Sequence, residues 1–248
     1  MAAEIILVTS AVGGAGKTVV TTNLGVAFQA EGRRTVLVDG DLQFGDMALA
    51  LDLTPGISIK EAVERNDFAN IHAFCTRHSS GVRLLPAPTR PEFADLVDAL
   101  DLASAITNLK SQAEVIIVET HHGLTEQNMV LMDLADRILV VTTPGMAALK
   151  NTRLMVETLG ALGHGEKTKL IVNKHSVPTL METKKVHDHL KIDQENVFFL
   201  PYALKDISYS LDRGVPVVSS SPKHKFSKKL KKVAEQILAQ NDRQVVEA

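Results

Sequence analysis

The residues most able to do chemistry sit near the start of the chain, in the order Gly13-Gly14-Ala15-Gly16-Lys17-Thr18. An apolar run, Ile5 to Val8, precedes them, and a helix-like run from Val19 follows. This is the pattern of a phosphate loop. Glycines let the backbone turn with its N–H groups inward, and the positive end of the next helix faces the same anion. In such a loop Lys17 reaches the outer phosphates and the Thr18 hydroxyl takes a ligand position on magnesium. The expected nucleotide cradle is therefore the stretch Gly13, Gly14, Ala15, Gly16, Lys17, Thr18 and Val19.

Two further strand ends carry carboxylates. Asp39 and Asp41 leave the run Thr35 to Val38 on alternate positions, and Glu119 closes the run Val115 to Val118. One carboxylate beside a hard cation is held by charge and oxygen coordination, and a second close by orients a water. Taken alone, Asp39-Gly40-Asp41 also suits a strand-end turn. The pair His121-His122 follows Glu119; adjacent histidines on a turn point apart, and no Cys or His lies at ligand spacing, so an exposed loop pair is expected rather than a metal site, with a histidine near the phosphate as the alternative.

These residues need a frame. Apolar, β-rich runs recur at Ile5 to Thr9, Thr35 to Asp39, Val82 to Leu85, Val115 to Glu119, Arg137 to Thr142, Lys169 to Asn173 and Val197 to Leu200, with helical stretches between them. Continuous apolar strands separated by helices predict a doubly wound α/β fold, a mainly parallel sheet with helices on both faces. Ligands of such folds lie at the carboxyl ends of the strands. Ser58 and Glu61 have the spacing of a capping box. A last helix is expected from Lys223 to about Ala239, with Phe226, Leu230, Val233 and Ile237 on one face. No repeat or linker interrupts residues 1–248, which are expected to form a single domain.

The phosphate loop, followed by Asn23-Leu24-Gly25 and by Val36-Leu37-Val38-Asp39-Gly40-Asp41-Leu42-Gln43, resembles the ParA/MinD family of deviant Walker A ATPases. The continuation Asp41 to Leu49 is most similar to the CpaE/TadZ branch, which is associated with assembly and localisation of type IV, Tad-class pili. The resemblance runs from residue 4 to about residue 235 and implies a P-loop NTPase fold binding ATP or ADP with Mg2+. It places Thr18, Asp39, Asp41 and Glu119 around the metal and its water shell, and Asp41 and Lys17 at the reaction. It also implies that Asn173 reads the base, that Pro201-Tyr202 flanks it, and that the Gly123 N–H meets a terminal phosphate. A nucleotide-dependent homodimer and partners in a pilus or secretion machine follow from the same resemblance. Some relatives carry a receiver-like domain in front of this unit; here the sequence begins directly at the first strand, so that domain is expected to be either naturally absent or outside the given sequence.

Two departures bear on turnover. Relatives carry a signature lysine where this chain has Val12, and an aspartate and two prolines where it has Glu119, His121 and His122. A valine brings no charge to a partner's phosphates. A slow ATPase and a non-hydrolysing, nucleotide-bound scaffold both follow, as does a DNA-partition, division-site or flagellar positioning ATPase.

Composition narrows the setting. With 45% hydrophobic and 23% charged residues and a formal net charge of −2, the chain has no global attraction for nucleic acid or anionic lipid. Any DNA binding falls to the local cluster Lys228, Lys229, Lys231 and Lys232. The polar end after Ala239 counts against stable membrane insertion. One cysteine, Cys75, leaves no internal disulfide and fits a reducing cytoplasm, with the cell pole as the site the resemblance implies.

Overall fold

A computed structural model describes residues 3–175, 190 and 192–246. Eight strands form one sheet: β1 (Glu4–Thr9), β2 (Thr35–Gly40), β3 (Thr76–Arg77), β4 (Arg83–Leu85), β5 (Val115–Thr120), β6 (Arg137–Thr142), β7 (Thr168–Val172) and β8 (Val197–Phe199). Their order across the sheet is β3-β4-β2-β5-β1-β6-β7-β8. Every pairing is parallel except β3 with β4. The seven runs expected from sequence are strands; β3, only two residues at the sheet edge, has too short a pattern to be seen.

Alternation along the central strand divides the core. Ile5 and Leu7 face a layer that holds α2 (Ala99–Leu109), α3 (Glu126–Leu134) and α4 (Met146–Ala161). Ile6 and Val8 face α1 (Lys17–Ala30) and the last helix, Lys225–Val246. The sheet is therefore covered on both faces, and its strands read as continuous apolar runs for that reason. Phe226, Leu230, Val233 and Ile237 of the last helix are buried, as their spacing predicts. That helix begins two residues later than expected, because Lys223 and His224 belong to a turn closed by His224 N–H on the Ser221 carbonyl.

The parallel strands bring their carboxyl ends to one edge. There the loop after β1 lies between the ends of β5 and β6. Val8 and Asp39 both sit in register with Glu119, so the phosphate loop and the two acidic strand ends are neighbours by pairing alone.

Candidate functional site

The phosphate loop adopts the backbone its glycines permit. Gly14 and Gly16 have φ of +72° and +94°, in the left-handed region, and Cβ atoms on Gly13 or Gly14 would meet nothing within 4 Å. The loop mouth is thus open. Gly16 caps α1 without a side-chain hydrogen bond, and the first turn contains no acid. The first N–H groups and the positive helix end therefore face outward, ready for an anion. Lys17 and Thr18 line a cavity of about 610 Å³ together with Asp41, Glu119 and His122.

Behind them lies a buried acidic pair. Asp39 and Glu119 are 2% and 4% exposed. Thr18 Oγ1 donates to Glu119 Oε1 at 2.8 Å, and Met47 N–H donates to Asp39 Oδ2 at 3.1 Å. The second oxygens, Asp39 Oδ1 and Glu119 Oε2, accept no hydrogen bond. Burial pushes both carboxyls up; repulsion from Asp41 adds to the Asp39 shift, and repulsion from Asp39 adds to the Glu119 shift. Among the described residues no group of three His, Cys, Asp or Glu converges as a protein-only metal cage. Magnesium does not need one, since it keeps waters and phosphate oxygens in its shell. Two orphaned, buried acceptors are chemistry that such a hydrated cation would satisfy.

Asp41 is half-buried, accepts from Phe44 N–H at 3.3 Å, and lines both this cavity and a second of about 720 Å³. Gln127 braces the wall between them by donating to the Gly40 carbonyl at 2.7 Å. Sequence reasoning missed Gln127, which has no motif. It also read Gly45 only as part of a resemblance. A Cβ there would lie 2.5 Å from all three atoms of the Asp39 carboxyl group.

The other end of the edge is formed by β7 and β8. His175 N–H bonds the Leu200 carbonyl and Leu200 N–H bonds the Val172 carbonyl, which sets the Asn173 loop beside Pro201-Tyr202. Pro201 is half-buried and Tyr202 is 44% exposed. The Asn173 amide is buried and already engaged: Nδ2 donates to the Ala15 carbonyl at 2.9 Å, and Oδ1 accepts from Lys174 N–H at 2.9 Å. One donor and one acceptor position of the amide remain for a ligand.

Two expectations need correction. Gly123 N–H is not directed at a phosphate site but donates to the Ser10 carbonyl at 2.8 Å, with Asn128 Nδ2 holding the Gly123 carbonyl at 2.8 Å. His121 and His122 do not point apart: their rings lie 4.0 Å centre to centre, and His121 Nδ1 contacts the His122 carbonyl at 2.9 Å. His122 lines the phosphate-loop cavity while His121 lines the second one. Burial, then the neighbouring imidazole and Lys17, hold the His122 pKa below its usual value.

Residues 6–217 match the CobQ/CobB/MinD/ParA nucleotide binding domain. The septum site-determining protein MinD of Thermotoga maritima is 26% identical over 242 residues, spanning 94% of this chain and 88% of that one. The Pyrococcus furiosus cell division ATPase MinD superposes with a TM-score of 0.85 at 25% identity, covering 96% of this chain and 99% of that one. MinD of Pyrococcus horikoshii, solved with Mg-ADP, superposes with a TM-score of 0.84 at 24% identity over 95% and 96% of the two chains. A P-loop fold matched along nearly its full length, with the phosphate loop and acidic strand ends on one edge, makes this chain a member of the CobQ/CobB/MinD/ParA nucleotide binding family.

Proposed function

We propose that residues 1–248 form a single ATP-binding domain of the deviant Walker A, CpaE/TadZ kind, which dimerises around nucleotide and positions a type IV or Tad pilus or a secretion machine at the cell pole. The observation that carries the nucleotide reading is the open cavity in which an uncapped helix end, Lys17 and Thr18 face Asp41 and a buried carboxylate pair. The Mg-ADP in the Pyrococcus horikoshii relative supports the same ligand here. The Asp41 to Leu49 stretch supports the pilus branch, and Thermotoga maritima MinD supports division-site positioning as the second reading.

Backbone N–H groups from Gly13 to Val19 and the Lys17 ammonium bind the phosphates. Thr18, Asp39, Asp41 and Glu119 hold a magnesium ion and its waters, which neutralises phosphate charge. Asp41, the one of these carboxylates that is not fully buried, orients the attacking water. Asn173, Pro201 and Tyr202 take the base. Phe44 and Leu49, 69% and 74% exposed at the cavity mouth, suit burial against a second copy.

Lys228, Lys229 and Lys232 are exposed and Lys231 half-buried on a helix whose opposite face is core, so DNA binding is a surface option and not a demand of the fold. Among the described residues no helix is long and apolar enough to cross a membrane. ATP binding, dimerisation and turnover measured on the native chain, Lys17→Ala and Asp41→Ala test the assignment. Binding lost in the first variant, and turnover lost with binding kept in the second, is the expected result. Binding that survives Lys17→Ala unchanged would overturn it, and binding without turnover in the native chain would select the scaffold reading.

A further inference from the structure

We propose that the amino-end edge of the sheet, opposite the phosphate loop, carries a separate anion site in which Arg77 and Arg83 bind the phosphoryl dianion of a small soluble compound. Arg34 and the Gln29 amide add donors. The site is independent of the nucleotide reading.

Its basis is a pairing that the fold alone does not favour. β3 and β4 are the antiparallel pair of the sheet, and their register sets Arg77 directly opposite Arg83. Like charges directly opposite in a ladder destabilise it. A carboxylate between them would relieve the repulsion, yet neither arginine has an ion pair among the described residues. Glu114 is already engaged by Arg34 Nε at 3.4 Å, by Arg33 Nη1 at 3.9 Å and by the Arg34 N–H at 3.0 Å.

The two arginines open onto a cavity of about 160 Å³ at the amino ends of β2 and β4, lined also by Arg34 and Gln29. No acidic side chain among the described residues lines it, in a chain whose formal net charge is −2. Gln29 is set as a donor there. Its Oε1 accepts from Thr35 N–H at 3.1 Å, which turns the amide nitrogen toward Gly81 of the cavity wall. Gly81, with φ of +96°, brings no side chain to cover that nitrogen.

Charge and size name the ligand class. With Arg34 held by Glu114, two guanidinium charges stand uncompensated. A carboxylate would neutralise one of them, whereas a phosphoryl group carries about −1.5 to −2 near neutral pH and answers both. Its oxygens also match the planar guanidinium fork. The cavity has roughly the liquid volume of five waters, which suits a phosphoryl group and not a whole nucleotide. The large exposed apolar side chains of the described residues lie elsewhere, so a soluble compound fits better than a lipid headgroup.

Pyrophosphate is the probe, and Lys17→Ala weakens the phosphate loop that would compete for it. Calorimetric titration into Lys17→Ala is expected to show binding, and adding Arg77→Gln with Arg83→Gln to weaken it at least about tenfold, the scale of lost hydrogen bonds to a charged group. Gln29→Glu keeps an acceptor for Thr35 N–H but turns the donor into a charged oxygen, and in the same background it is expected to weaken binding as much. In anion-free buffer the arginine variant is expected to unfold thermally no earlier than its parent, because a repulsion has been removed. Earlier unfolding would mean that the pair serves the fold, and would overturn the site. Pyrophosphate affinity equal with and without the arginines, no binding to Lys17→Ala, or binding only to vesicles containing phosphatidic acid would overturn it as well.

Discussion

Thr18 Oγ1 donates a 2.8 Å hydrogen bond to Glu119 Oε1, joining the first turn of α1 to the carboxyl end of β5. A hydroxyl that spends its hydrogen on a carboxylate keeps its oxygen lone pairs for a cation. On the proposed function, Glu119 orients Thr18 as an outer partner orients a metal ligand.

The acidic pair makes stability depend on pH in a defined direction. Asp39 and Glu119 have ordinary values of 3.8 and 4.5 and are raised in the fold to about 7 and about 8, by burial first. Between those limits the folded state holds more protons than the unfolded one, so their contribution to stability is present below about pH 4 and is lost as pH rises toward about 8. Thermal unfolding of the nucleotide-free chain is expected to show this loss, and Asp39→Asn with Glu119→Gln to flatten it. Equal slopes in the native and doubly substituted chains would show that the pair is not protonated in the fold.

Magnesium should reverse the same term. A cation requires the ionised carboxylates, so Mg2+ affinity in the presence of ADP is expected to rise with pH through neutrality, with protons released on binding. Titration calorimetry in buffers of different ionisation enthalpy reads that release directly. Affinity that falls with pH would remove Asp39 and Glu119 from the metal's surroundings.

Gly45→Ala places a methyl group 2.5 Å from the Asp39 carboxyl atoms. Overpacking of this kind costs about 1–3 kcal/mol. Denaturant unfolding should show a loss in that range, and the loss should shrink in an Asp39→Ala background, because the two sites share one contact. Additive losses would place the strain elsewhere.

Residue pattern alone made the sheet legible, because seven strands buried on both faces must read as apolar runs. The phosphate loop and the Ser58–Glu61 capping box were equally local, and the box is present with Ser58 N–H on Glu61 Oε2 at 2.7 Å. What sequence did not carry were contacts across the fold. Gly123 N–H on the Ser10 carbonyl, Gln127 on Gly40 and Lys174 on Gly14 join residues separated by 87 to 160 positions in the last two cases, and no spacing encodes them. The histidine pair misled for a related reason. Ring orientation followed from one side-chain contact with a neighbouring carbonyl, which neighbour rules for turns do not contain.

Val12→Lys separates the slow ATPase from the scaffold. Val12 is half-buried in the loop, and its carbonyl accepts from Ser10 Oγ at 2.8 Å, a main-chain contact that a lysine would leave in place. The substitution therefore changes charge with little demand on the backbone. If a cation crossing to a second copy is all that turnover lacks, ATP hydrolysis should rise at least about tenfold, since a single well-placed charge on developing negative oxygen is worth that and more. The rise should depend on protein concentration, because the lysine serves the other copy's site, and it should vanish when Asp41→Ala is combined with it. No rise, with nucleotide still bound and dimers still formed, would mean that the Glu119-Thr120-His121-His122 end also withholds turnover.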